Sequence, residues 1–160
     1  MNTIYLVLGS NIDPDKNIPF ALDSLKNEPG IKMVRVSSTW RTKPIGTCCT
    51  DFLNTAVIIH TAADPDTIKT EMLSKSEKQL GRVRTEDKNA PRTIDLDIVA
   101  VNEEILEMAV FRLDHLIFPL AEIAPSLYDV SSSQTIITIA NQLAEKTEAL
   151  RLEYPATSCG

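Results

Sequence analysis

Two aspartates separated by one residue stand in the run Thr93-Ile94-Asp95-Leu96-Asp97-Ile98. Read as a strand, the run turns Ile94, Leu96 and Ile98 to one face and Asp95 and Asp97 to the other, with the two acidic Cα atoms roughly 6.6 Å apart. The aliphatic side chains take the core, which leaves the acids on the open face. Two anions this close repel unless a cation neutralises them. Mg²⁺ suits the pair, because it takes oxygen ligands and is often held by one or two carboxylates together with substrate phosphates. An aspartate pair on an exposed strand can also be solvated or matched by lysine. The neighbours favour a ligand: Gly81-Arg82-Val83-Arg84 and Pro91-Arg92-Thr93 place three guanidinium groups close in sequence to the acids. Arginine's planar fork donates two parallel hydrogen bonds to a phosphate and keeps its charge. Ion pairs of Arg82, Arg84 and Arg92 with Asp95, Asp97 or Glu86 are the alternative. Three arginines exceed what two carboxylates need, whereas a phosphate bridged through metal satisfies all of them. The stretch Gly81–Asp97 is therefore expected to hold Mg²⁺ and the phosphates of a nucleotide. Between its halves, Thr85–Ala90 is polar and reads either as a lid over the nucleotide or as a solvated turn.

A second group lies earlier, where Arg41-Thr42-Lys43-Pro44-Ile45-Gly46 forms a loop and Asp51-Phe52-Leu53-Asn54 begins a strand. A flat heterocycle would be served by the face of Phe52, the amide of Asn54 and backbone groups of the loop. A phenylalanine at a strand start is more often a core residue, so these residues alone are weak evidence.

The elements that must position these groups follow from periodicity and punctuation. Residues Thr3–Leu8 are an apolar run of strand length, ended by Gly9-Ser10-Asn11. Pro14–Leu25 repeats apolar residues every three or four positions, with Asp13 as a cap and Pro14 in the first turn. Lys32–Trp40 and Phe52–Thr61 read as strands. Asp64 caps a second helix whose stripe Ile68, Met72, Leu73 and Leu80 runs into Gly81. Ile94–Val101 is a strand with a short partner at Glu104–Leu106, Leu120–Ala124 a helical turn, and Ile136–Leu150 a closing helix. The order predicts an α+β fold: a ferredoxin-like βαββαβ core, an antiparallel sheet with helices on one face and ligands on the other, and a C-terminal helical extension.

Composition narrows the setting. At 160 residues the chain fits one domain, residues 1–160, with 43% hydrophobic and 24% charged residues. No stretch approaches the ~20 apolar residues of a membrane span, and a cytoplasmic protein is expected. Cys48, Cys49 and Cys159 form neither a disulfide framework nor a spaced zinc set. A formal charge of −6 argues against a general nucleic-acid binder, and a local basic cluster inside an acidic chain points to one specific anion.

Taken together, Gly9-Ser10-Asn11, Ser37-Ser38, Trp40-Arg41-Thr42, Pro44-Ile45-Gly46, Phe52-Leu53-Asn54, Gly81-Arg82-Val83-Arg84 and Pro91–Ile98 resemble the 6-hydroxymethyl-7,8-dihydropterin pyrophosphokinases of folate biosynthesis. The match runs in order over residues 4–125 and closes on Pro119–Pro125. The resemblance implies transfer of the terminal pyrophosphoryl unit of ATP to the hydroxymethyl oxygen of a reduced pterin, releasing AMP. It implies Arg82, Arg92, Asp95 and Asp97 as catalytic residues, with Asp95 and Asp97 holding two Mg²⁺ ions. Nucleotide contacts would come from Glu77, Arg82, Arg84, Arg92, Ile98 and His115. The pterin pocket would take Thr42, Pro44, Ile45, Phe52, Asn54 and His115. Small molecules are the implied partners, with no nucleic acid or membrane, and the protein is expected as a monomer or weak homo-oligomer. The chain departs from the family where a longer segment usually carries a Pro-His motif, an arginine and an aromatic: here Phe111-Arg112-Leu113-Asp114-His115 leads almost directly into Leu116-Ile117-Phe118-Pro119. His115 stands in for the missing histidine or for the aromatic, or is a packed or capping residue. Residues Lys88-Asn89 stand where a tryptophan is often found. A non-catalytic pterin- or nucleotide-binding homologue, or a pyrophosphokinase for another alcohol, fits the same residues.

Overall fold

The computed structural model describes residues 1–44, 50–81 and 94–155. The apolar run at the start forms β1 (Asn2–Ser10), which lies between β4 (Phe52–Thr61) and β5 (Asp95–Val101), antiparallel to both. A strand apolar on both sides must be covered on both sides, and β1 is. Ile4, Leu6 and Leu8, with Val57, Ile59 and Leu96, pack beneath the helices of the first half of the chain. Tyr5 and Val7, with Ala56 and Ile58, pack beneath those of the second half.

On the first face lies α1 (Pro14–Asn27), which buries Ile18, Ala21, Leu22 and Leu25 as the spacing predicts. Asp13 occupies the cap position but makes no side-chain cap bond; with φ of 43° it is left-handed, and the Asn17 amide instead donates to the Ile12 carbonyl at 2.7 Å. The second predicted helix is α2 (Pro65–Thr67), a π-helical stretch (Ile68–Leu73) and α3 (Ser74–Gln79) in succession. Its capping by Asp64 is as expected, and the Ser74 N–H and hydroxyl both reach the Lys69 carbonyl five residues back, which widens the turn there.

The strand predicted over Lys32–Trp40 is two strands, β2 (Ile31–Val36) and β3 (Ser38–Thr42), both paired with β4. The break falls at Ser37, whose hydroxyl accepts the Ala56 N–H at 2.8 Å and donates to the Ser38 carbonyl at 2.7 Å. A register shift between Met33 and Arg35 takes Val34 out of the expected alternation and into solvent. Beyond β5, the short β6 (Glu104–Ile105) pairs with Ala100 and Val101.

The C-terminal part differs more. In place of a turn at Leu120–Ala124, α4 spans Asp114–Ile123 with Pro119 inside it. Proline removes the N–H that would reach the His115 carbonyl, yet Leu116 through Ala121 and Ile123 are buried against the sheet, and that packing outweighs the lost bond. The closing helix α5 is shorter than predicted (Ile136–Ala144), and the chain returns as β9 (Leu150–Pro155) beside β3. A 3₁₀ turn (Met108–Phe111) and the hairpin β7 (Tyr128–Asp129) and β8 (Gln134–Thr135) complete the set. The main sheet runs β6-β5-β1-β4-β3-β9, with β2 also on β4.

The fold is thus the expected α+β arrangement with a ferredoxin-like βαββαβ core and a C-terminal extension. The face left for ligands is smaller than the sequence suggested, because α4 and α5 cover its Tyr5–Val7 half. Among the described residues no helix is long and apolar enough to cross a membrane. Leu120 of α4 is fully buried in the second-face core. Leu120→Ala is expected to lower unfolding free energy by about 2–5 kcal/mol in urea denaturation, with an unchanged denaturant slope.

Candidate active site

Strand register brings the two groups of site residues together. Residues directly opposite in antiparallel strands share a face, and Trp40, Asn54, Gly9 and Asp95 form one such row across β3, β4, β1 and β5. One pair further along, Thr42 lies opposite Phe52, and on the other side Val7 lies opposite Asp97. Thr42, Phe52, Asn54, Asp95 and Asp97 therefore occupy one face. Ile94, Leu96 and Ile98 turn to the α1 face, where Ile94 and Leu96 are buried and Ile98 is partly buried.

Each side chain is held in a particular way. Asn54 and Thr42 are almost fully buried, and the Asn54 amide nitrogen donates to Thr42 Oγ1 at 2.8 Å and to the Trp40 carbonyl at 3.3 Å. These acceptors turn the nitrogen toward β3 and leave Oδ1 over Gly9, where a Cβ atom would come within 3.0 Å of it. Gly9 is thus the spacer between the amide and the acids, whose strands are two spacings apart, roughly 9.5 Å. Phe52 is half-buried, with its ring edge 3.9 Å from the same point over Gly9. Asp95 is half-buried and Asp97 exposed. Pro44 is half-buried at the end of β3, and Lys43 reaches Asp51 at 3.8 Å across the loop.

Next to Asp97 a cavity of about 490 Å³ crosses the outer edge of β5. Its floor includes Asp97 and Ile98, its walls Asp66 and Lys69 on one side and Leu106 and His115 on the other. β6 pairs only with Ala100 and Val101, so among the described residues no strand covers the Asp95–Ile98 edge, where the Leu96 N–H goes to a side chain instead. His115 is half-buried in the first turn of α4, which the sequence had not predicted as helix. On the opposite wall Asp64 accepts the Thr67 N–H at 2.9 Å and its hydroxyl at 3.0 Å. These bonds hold its carboxyl below the ordinary value, so the turn carrying Asp66 stays capped at neutral pH. Tyr5, further along the acid face, has its phenol pushed up by burial and by the charge of Glu103, and remains neutral.

Glu77 does not line the cavity. It is buried on α3, and its Oε1 accepts the Leu96 N–H at 3.3 Å, so it braces the strand residue between the two aspartates. Arg82, Arg84, Arg92, Ile45 and the Thr85–Ala90 segment lie outside the described residues. Asp66, Lys69 and Leu106 were not singled out from the sequence. They carry no motif, and only folding brings them to the edge of β5.

The family model for 7,8-dihydro-6-hydroxymethylpterin-pyrophosphokinase (HPPK) matches residues 5–125. The chain belongs to this family. It is 41% identical over 137 residues to the 2-amino-4-hydroxy-6-hydroxymethyldihydropteridine pyrophosphokinase of Methylorubrum extorquens, covering 79% of this chain and 85% of that one. The protein of the same name from Synechocystis is 34% identical over 145 residues, covering 85% and 73%. Among solved structures, wild-type Plasmodium falciparum HPPK-DHPS with SDX-DHP aligns with a TM-score of 0.67 at 13% identity. That alignment covers 91% of this chain but 44% of the longer one, and at this identity it speaks for the fold alone.

Gly9→Ala is expected to displace the Asn54 amide. Titration should show reduced hydroxymethylpterin binding about tenfold or more weaker, with little change in nucleotide affinity.

Proposed function

We propose that this protein transfers the pyrophosphoryl group of Mg²⁺-ATP to the hydroxymethyl group of 6-hydroxymethyl-7,8-dihydropterin with the residues gathered on this sheet face. Pyrophosphoryl transfer to that pterin, in folate biosynthesis, is the reaction its family name describes. The observation that carries the residue assignments is the row Asn54, Gly9, Asp95: an amide with a fixed hydrogen-bonding edge faces a pair of carboxylates across one glycine.

In this reading the pterin lies over Gly9. Its ring is read by Asn54, stacked on Phe52, and bordered by Thr42, Pro44 and Ile45. The hydroxymethyl arm then points toward Asp95 and Asp97. The nucleotide occupies the cavity along β5, with Ile98 beneath it and His115 on its wall. Among the described residues lining that cavity the sole Lys or Arg is Lys69, set against Asp66, Asp97 and Glu107. Neutralisation of a triphosphate must therefore come from elsewhere, which is the role proposed for Arg82, Arg84, Arg92 and the metal.

The donor set fits Mg²⁺. Among the described residues no group of three or more His, Cys, Asp or Glu gathers into a complete metal cage. Two carboxylates on an open face suit an ion that keeps water and takes phosphate oxygens as its remaining ligands. When bound, Mg²⁺ supplies charge neutralisation of the phosphates. The protein's own task is alignment: the alcohol oxygen attacks the β-phosphorus, an O–P bond forms, and the bond to the α–β bridging oxygen breaks as AMP leaves. The alcohol proton passes to solvent. Such transfer asks for positioning and electrostatic stabilisation rather than a covalent nucleophile. The cytoplasm, which supplies Mg²⁺-ATP, is the proposed setting.

Phosphorus NMR of the protein with Mg²⁺, ATP and reduced hydroxymethylpterin is expected to show AMP and a pterin diphosphate. Appearance of ADP, or no turnover, overturns the proposal. Asp97→Ala should cut kcat by about a hundredfold or more while its melting temperature stays near that of the parent, since the side chain is exposed. Full activity in that variant would remove Asp97 from the metal site.

A further inference from the structure

The residues after α5 take no part in the chemistry proposed above, yet they hold α4 at both ends. At its start the Thr147 hydroxyl donates to Asp114 Oδ2, and Thr147 Oγ1 itself accepts the Ala149 N–H at 3.0 Å. At its far end Arg151 Nε lies 2.9 Å from Glu122 Oε1 and 3.1 Å from Ser38 Oγ. Glu122 Oε2 in turn accepts the Ser38 N–H. The chain from Thr147 to Arg151 is thus a strap running from the first turn of α4 to β3, the strand that carries Thr42.

The two attachments differ in weight. The Arg151 side chain is 62% exposed, and an ion pair in that setting contributes little. Thr147 and Asp114 are both half-buried. Because Ala149 already donates to the Thr147 oxygen, the hydroxyl proton is directed at the Asp114 carboxylate. Leu113, at the cap position of α4, offers no side-chain cap bond, and the Asp114 carboxylate ties this first turn to the segment after α5. The next residue is His115, on the cavity wall beside Asp97.

We propose that Thr147 is a positioning residue: acting through Asp114, it sets the first turn of α4 and so holds His115 against the cavity at Asp97. The inference rests on the reading of that cavity as a substrate site, and its test separates the two. The chain has two histidines, so imidazole NMR spectra report His115 directly, with His60 as an internal control. His60 lies on β4 six residues beyond Asn54, roughly 20 Å along the strand.

Thr147→Val keeps the shape and removes the hydroxyl, while Thr147→Ser restores it. In ligand-free protein, the His115 signal is expected to move in the valine variant, to return in the serine variant, and to leave His60 in place in both. The valine variant should raise the KM for ATP, for the pterin, or for both by about fivefold, with kcat within about twofold of the parent. An unmoved His115 signal, unchanged KM values for both substrates, or a shift shared equally by His60 overturns the proposal. If the parent protein turns over no pterin, the reaction reading falls. The imidazole spectra and the dissociation constant for Mg²⁺-α,β-methylene ATP then still decide the role of Thr147.

Discussion

The pairing register of β1 governs the site. A strand's side chains alternate with a period of two, so slipping β1 by one residue against either neighbour would break the row that sets Asn54 and Asp95 beside Gly9. The register is held by burial on both faces. Ile4, Leu6 and Leu8 serve the α1 side, and Tyr5 and Val7 serve the α4 side. A slip would misalign both cores at once, and this double constraint places an amide and two carboxylates on one face.

That face is divided along its length. Toward Tyr5, Val7, Ala56 and Ile58 it is apolar and covered by α4 and α5, with Trp40 stacked on Phe118 at a centroid distance of 5.3 Å. Toward Gly9 the side chains become polar, and the proposed pterin and metal positions fall there. The same strand, β5, supplies core on one side and acids on the other, while its outer edge at Asp95–Ile98, which no described strand covers, runs beside the cavity. An open edge is a liability in most sheets. Here Glu77 occupies the Leu96 N–H, and Asp66, Lys69 and Glu107 line the cavity where a nucleotide is proposed to lie.

Much of this was legible in the sequence. β1, β4, β5 and the first helix follow from local pattern, and the segregation of Asp95 and Asp97 from Leu96 needs only strand alternation. Other features were not legible, for identifiable reasons. Pro119 reads as a helix breaker, but burial of its neighbours keeps α4 intact. Residues Glu145–Leu150 read as a continuing helix, but the helix stops at Ala144 and Leu150 begins β9 on the edge of β3. The bond from the Leu96 N–H to the Glu77 carboxylate carries no local signal, because helix and strand meet only in the fold.

The sequence by itself determined the chemistry on offer: which residues are acidic, amidic, aromatic or cationic, and which face each takes within its own strand or helix, because alternation and helical period are local. Only the tertiary structure decided what those residues meet. Asn54 and Asp95 are distant in the chain and adjacent to one glycine through cross-strand pairing. His115 and Asp97 line one cavity because α4 packs across the sheet, and Thr147 reaches Asp114 because the chain turns back after α5. Such meetings depend on which surfaces bury one another, and no local pattern encodes that choice.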